Sequence, residues 1–180
     1  DSDTAQISVN AALTGHLLFS TIHANDSEGT IPRLLNNNVD PFLVASTIEL
    51  IVAQRLVRTI CPNCKTAYTL SYEKLTEKLG YESPIFKGEK VTLYKGKGCN
   101  SCENTGYKGR TGIFEMIEIT PAMKELIMEN PSAGQIGELA RKKGFQIMFE
   151  HGMEKVKIGE TTLEEVLRVA PTPIEKGYDV

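Results

Sequence analysis

The stretch from Thr14 to Asp26 reads TGHLLFSTIHAND. Its centre, Leu17 to Ile22, is apolar or small throughout, which predicts a strand covered on both faces, as in a parallel α/β sheet. Two of the chain's three histidines, His16 and His23, bracket this run. Seven residues of continuous strand would set them roughly 23 Å apart. The odd offset would also turn them to opposite faces. If the strand is continuous, they cannot share one metal ion. His23 falls at the C-terminal end of the predicted strand, the edge where open α/β sheets bind ligands. Ser20, Thr21 and Asn25 add polar groups there. His151, in FEHGMEKV, has no comparable neighbours and reads as structural.

Outward from this stretch the pattern alternates helix and strand. Ile7, Ala11 and Leu13 predict a short helix over 4–14, with Gly15 as its C-terminal cap. In DPFLVASTIELIVAQRLVR (40–58), Asp40 and Pro41 form a cap-and-proline helix start. Val44, Ile48, Ile51, Val52 and Leu56 then predict a helical stripe. TGIFEMIEI (111–119) predicts a second buried strand, followed by another cap-and-proline start at Thr120-Pro121. Ser132 and Gln135 have capping-box spacing, with Gly144 closing that helix, and Thr162 and Glu165 repeat the device. PTPIEKGYDV, the last ten residues, predicts a loose tail.

At 180 residues the chain can bury a real core without covalent staples. Its net charge of −3 argues against a basic surface that grips nucleic acid. The tyrosines of the middle region, Tyr68, Tyr72, Tyr81, Tyr94 and Tyr107, are scattered rather than laddered. Nucleic acid is not an expected partner. No apolar run reaches membrane-span length and no signal peptide opens the chain, which predicts a cytoplasmic location.

From Cys61 to Arg110 apolar density drops and all four cysteines gather, as CPNC (61–64) and CNSC (99–102) with 34 residues between the pairs. Each Cys-x2-Cys turn aims two thiolates at one ion, and two such turns complete a tetrahedral four-sulfur shell suited to zinc. A closed shell leaves no position for substrate, so the predicted role is structural. SYEKLTEKLG (71–80) fills the long gap with a short helix. The predicted organisation is 1–60, an inserted cysteine module at 61–110, a strand with C-terminal helices at 111–170, and a tail at 171–180.

DSDTAQISVNAALTGHLLFSTIHAND, VAQRLVRTICPNC, GCNSCENTGYKGRTGIFEM and GETTLEEVLRV, in this order, resemble the C-terminal part of the type II secretion and type IV pilus assembly ATPases. The resemblance covers nearly all of residues 1–170. It implies an α/β fold: the C-terminal portion of a RecA-like core, an inserted small zinc-binding module and a helical C-terminal region. It further implies a cytoplasmic hexameric ring, docked on an inner-membrane platform protein, that spends ATP on assembling pilins or pseudopilins. GHLLFSTIH matches the family's histidine box. His23 is then expected near the nucleotide's terminal phosphate with Thr21 close by, and His16 against a neighbouring subunit or adjacent loop. These three are the candidate catalytic residues. Gln54 and Arg55 match the family's QRL stretch. Cys61, Cys64, Cys99 and Cys102 match the zinc module of the assembly motors, which retraction-type relatives typically lack.

One departure is large. No G-x-x-x-x-G-K-[ST] phosphate loop occurs, and YKGKGCN (94–100) has the wrong spacing. The acidic strand that would hold magnesium is also absent, and Asp1 looks like the last residue of the family's Glu-x-x-x-Asp run. The expectation is a piece of a motor that by itself neither binds ATP tightly nor hydrolyses it, with ATP and magnesium bound only by the longer protein. The alternative is a stand-alone zinc-containing interaction domain derived from such a motor. In a piece of a motor the Leu17–Ile22 strand would lack some of its edge neighbours, which predicts an exposed apolar edge and self-association unless the missing part is present.

Overall fold

The computed structural model describes residues 2–178. Helix and strand alternate in the order α1 (Ser2–Leu13), α2 (Thr30–Asn36), α3 (Pro41–Thr47), β1 (Leu50–Ile60), β2 (Lys65–Ser71), α4 (Tyr72–Leu79), β3 (Lys90–Gly96), β4 (Tyr107–Glu118), α5 (Pro121–Ile127), α6 (Ala133–Arg141), α7 (Met148–Lys157) and α8 (Leu163–Val169). The fold is α/β. β1 pairs with β4, and β2 pairs antiparallel with β3 from Lys65 opposite Gly96 to Ser71 opposite Lys90.

Most helix starts follow from local chemistry. Asp40 accepts the Phe42 N–H at 2.8 Å ahead of Pro41. Thr120, Ser132 and Thr162 accept the N–H groups of Met123, Gln135 and Glu165. Each cap satisfies a backbone donor that a helix otherwise leaves orphaned. Ser71 caps α4 in the same way, and Gly80, at φ +76°, ends it in the left-handed conformation. α1 ends before Gly15, which sits at φ +85°.

Two compact units divide the chain: residues 1–53 with 115–146, and residues 54–114 with 147–180. In the first, α3 packs on α1, α2 and α5, and Ile31, Val44, Met123, Ile127 and Ile136 are buried. In the second, Val57, Leu75, Leu93, Phe149, Met153 and Val166 form the core, with α7 against α8 and β3.

Four predicted features differ. The helix beginning at Asp40 does not reach Leu56: Ile48 turns to φ −83°, ψ 131°, and β1 follows from Leu50. Ile48, Ile51, Val52, Val57, Thr59 and Ile60 are β-branched, and their stiff side chains favour a pleated strand. Ile51, Val57 and Ile60 are buried, while Val52 and Leu56 of the proposed stripe are about half exposed. Leu17–Ile22 is not a strand. Leu17 is 86% and Phe19 89% exposed, and among the described residues no strand pairs with it. A strand needs a neighbour's N–H and C=O groups, and without one its apolar side chains stay in solvent. The expected apolar strand edge is therefore absent; Leu17, Leu18 and Phe19 are exposed from an irregular segment instead.

The C-terminal residues are also more ordered than a loose tail. Thr172 and Glu175 form a reciprocal pair: the Thr172 N–H and hydroxyl donate to Glu175 Oε2 at 2.7 and 3.0 Å, and the Glu175 N–H donates back at 3.3 Å. Thr172 and Pro173 are buried. Asp179 and Val180 lie outside the described residues, as does Asp1. Finally, 111–119 is a strand but is buried on one face only. It extends back to Tyr107, with Ile113, Glu115 and Ile117 inside and Met116 54% exposed.

Candidate metal centre

Cys61 closes β1, and Cys64 precedes β2 in a turn held by the Cys64 N–H on the Cys61 carbonyl at 3.3 Å. Cys99 and Cys102 flank a 3-10 turn, closed by the Cys102 N–H on the Cys99 carbonyl at 3.1 Å. The two knuckles are stitched to each other's flanks. The Cys61 N–H donates to Gly106 O at 3.0 Å, and the Lys97 N–H donates to Cys64 O at 3.0 Å. Backbone comes so close here that side chains are excluded. A Cβ on Gly96 would lie 2.0 Å from the Gly106 carbonyl oxygen, and Gly106 itself sits at φ +80°.

The result is one sulfur cluster. Sγ separations are 3.9 Å for Cys61–Cys99, 3.8 Å for Cys64–Cys102 and 3.7 Å for Cys99–Cys102. All four sulfurs lie within 4.8 Å of one another. A tetrahedral zinc with Zn–S bonds of about 2.3 Å has S–S edges of about 3.8 Å. These three edges match that polyhedron and are far too long for disulfides. Among the described residues, these four are the one group of three or more His, Cys, Asp or Glu side chains placed to hold a metal.

The sulfurs differ in electrostatics. Burial, reinforced by hydrogen bonds among the thiols, pushes Cys64 up to about 11. Burial also acts to raise Cys102, but the N–H groups of Cys99 and Gly106 donate to its sulfur at 3.3 Å each and bring it down to about 6. Those two N–H groups favour a thiolate at Cys102, as a metal ligand requires. A divalent cation would supply the charge that lets the other three follow. The chemistry and the geometry both fit zinc.

Among the described residues no histidine belongs to this cluster. His16, Thr21 and His23 are all exposed and lie in a segment without regular structure after α1. The His16 Nδ1 lies 2.8 Å from the Thr14 hydroxyl. His151 does behave structurally: its Nδ1 accepts the Phe114 N–H at 3.1 Å, and its ring lies 5.9 Å from the Phe114 ring.

A buried carboxylate escaped the sequence reading. Glu115, 2% exposed, accepts both the N–H and the hydroxyl of Ser27 on Oε1, at 2.7 and 3.0 Å. It thereby anchors the loop that follows His23. Its signal was available: Ile113, Glu115 and Ile117 share one strand face, which puts an acid among core isoleucines.

A family model described as type II/IV secretion system protein matches residues 1–168. The chain belongs to that family. Among type II/IV secretion relatives, the type IV pilus assembly ATPase PilB of Pseudomonas aeruginosa is 43% identical over 169 residues, 94% of this chain and 29% of PilB. The type II secretion system ATPase E of Vibrio cholerae is 42% identical over 173 residues, 94% of this chain and 32% of that protein. The chain thus spans about three-tenths of the length of these secretion-family relatives. The structure of the Legionella pneumophila ATPase DotB matches with a TM-score of 0.56 at 16% identity, over 94% of this chain and 36% of DotB. That likeness speaks for the fold alone.

Proposed function

We propose that residues 1–180 form the zinc-bearing part of a motor ATPase that drives pilin or pseudopilin assembly, in type IV pilus biogenesis or type II secretion. The longer protein works as a hexamer at the cytoplasmic face of the inner membrane, docked on a platform protein, and binding of ATP and magnesium needs residues additional to these. The observation that carries this reading is the four-sulfur cluster with tetrahedral edges, in a chain more than 40% identical to a pilus assembly ATPase and a secretion ATPase.

In this reading Cys61, Cys64, Cys99 and Cys102 hold a structural zinc. The ion, when bound, cross-links the two knuckles and supplies folding free energy. Residues 61–110 act as a module inserted between the RecA-like core portion at 1–60 and the strand and helices of 111–170. His23 meets the terminal phosphate of the nucleotide, and the Thr21 hydroxyl supports it. His16 faces a neighbouring subunit or loop. Neutral imidazole orients water and imidazolium pairs with phosphate, so the protonation of His23 decides its part.

A second reading, a zinc-containing interaction domain that docks without ATP chemistry, draws on the lack of a phosphate-loop motif in these 180 residues. One experiment separates the two. Zinc is quantified by mass spectrometry, and ATP turnover is measured for the 180-residue chain and for the polypeptide produced by the source cells. One zinc per chain, no turnover by the chain and turnover by a heavier natural polypeptide support the motor. A natural polypeptide near 19.8 kDa without turnover supports the docking domain. Absence of zinc from freshly purified chain refutes both.

A further inference from the structure

We infer that Thr14 is a positioning residue that holds the neutral His16 ring in its Nδ1–H tautomer, so that Nε2 presents a bare lone pair. Three distances carry the inference. The Thr14 side chain donates to the Ala11 carbonyl at 2.7 Å, the Thr14 N–H donates to the same carbonyl at 3.2 Å, and His16 Nδ1 lies 2.8 Å from Thr14 Oγ1.

A hydroxyl has one proton to give, and a carbonyl oxygen can only accept. At 2.7 Å the Thr14 proton is therefore spent on Ala11 O. The 2.8 Å contact to His16 is a hydrogen bond only if the imidazole supplies the hydrogen. The opposite tautomer would set the Nδ1 lone pair against an oxygen lone pair at the same distance. The protein thus reverses the preference of a free imidazole side chain, which favours Nε2–H.

The backbone builds the contact. Thr14 sits one residue past α1, where the helix leaves carbonyls without intrahelical donors, and its side chain takes up one of them. Gly15 follows at φ +85°, closed by its own N–H on Ala12 O at 3.0 Å. That left-handed turn folds the chain back so that the ring at 16 meets the hydroxyl at 14. In Thr14-Gly15-His16 the threonine accepts the ring proton, the glycine makes the turn and the histidine supplies the ring.

The consequence concerns what His16 recognises. A neutral ring with Nε2 bare accepts a hydrogen bond there and offers none. Its partner is an N–H or O–H donor on a protein surface, not a phosphate or carboxylate oxygen. This rests on the reading that His16 faces a neighbouring subunit or loop, and it separates His16 from His23 in the nucleotide's chemistry.

The test is long-range 1H–15N correlation spectroscopy of the labelled 180-residue chain at pH 9, where an imidazole of ordinary pKa is neutral. His16→Gln assigns the resonances. The wild type is expected to show Nδ1 protonated and Nε2 bare at His16. Thr14→Val is expected to move the tautomer ratio about fivefold toward Nε2–H, the weight of one ordinary hydrogen bond. Thr14→Ser, which keeps the hydroxyl, is expected to hold the wild-type ratio. Predominant Nε2–H in the wild type overturns the inference, as does an unchanged ratio in Thr14→Val with the backbone amide spectrum intact. No nucleotide enters the measurement, so its failure and a failure of the motor reading are independent.

Discussion

Replacing Glu165 by Gln should destabilise the unit built from residues 54–114 and 147–180 by about 2–3 kcal/mol at pH 7. Glu165 is 1% exposed and accepts four N–H donors. Arg58 gives its backbone N–H at 2.9 Å and its Nη2 at 2.7 Å. Arg168 gives Nε at 3.1 Å and Nη2 at 2.9 Å. Arg58 also lies 4.1 Å over the Tyr107 ring, and its carbonyl accepts the Thr161 hydroxyl at 2.8 Å. Burial by itself would raise the Glu165 carboxyl, but the two arginines and the backbone N–H bring it down to about 2. Against an unfolded value of about 4.3, that is roughly two units at about 1.4 kcal/mol each. Breaking a fully buried pair would cost about 3–5 kcal/mol, but the arginine side chains are 48% and 54% exposed and stay solvated, so the lower figure holds. The sign follows from the lowered folded pKa. The stabilisation is complete above the unfolded pKa and is lost as pH falls from about 4.3 toward about 2. Urea unfolding followed by far-ultraviolet circular dichroism reads the effect as a midpoint shift of roughly 1 M. The gap between wild type and Glu165→Gln should narrow from pH 5 to pH 3. A gap under about 0.5 kcal/mol at pH 7, or one that acid leaves unchanged, would refute the reasoning.

Three further outcomes are expected. Chelating zinc at pH 7 should unfold the cysteine knuckles before the rest, because apparent zinc-binding free energies of about 10 kcal/mol or more are also folding free energy in such sites. Hydrogen exchange of the backbone amides between Cys61 and Gly106 checks this, and uniform loss of protection across the chain would contradict it. Gly96→Ala puts a Cβ 2.0 Å from the Gly106 carbonyl oxygen, so backbone must move; zinc affinity should fall at least about tenfold in a competition titration. Phe19→Ser removes the most exposed large apolar side chain, 89% in solvent, and should reduce self-association in light scattering relative to wild type. A wild type that stays monomeric at high concentration would sink that expectation.

Features that close within a few residues were legible in the sequence. Asp40, Thr120, Ser132 and Thr162 reach backbone donors two or three positions away, so their helix starts follow from residue type and spacing. The two Cys-x2-Cys knuckles are local turns as well, and pairing them into one shell needed only the matched spacing and the chemistry of thiolates. Tertiary structure decided whatever depends on a distant neighbour. Hydropathy alone could not tell where the segment after Asp40 changes from helix to strand, because Ile48, Ile51 and Val52 satisfy either period until a partner strand is present. The same dependence left Leu17–Ile22 without strand pairing. Glu115 and Ser27 are 88 positions apart, and Glu165 and Arg58 are 107 apart. A charge can be buried only where a partner meets it, and no local pattern says which residue the fold will bring.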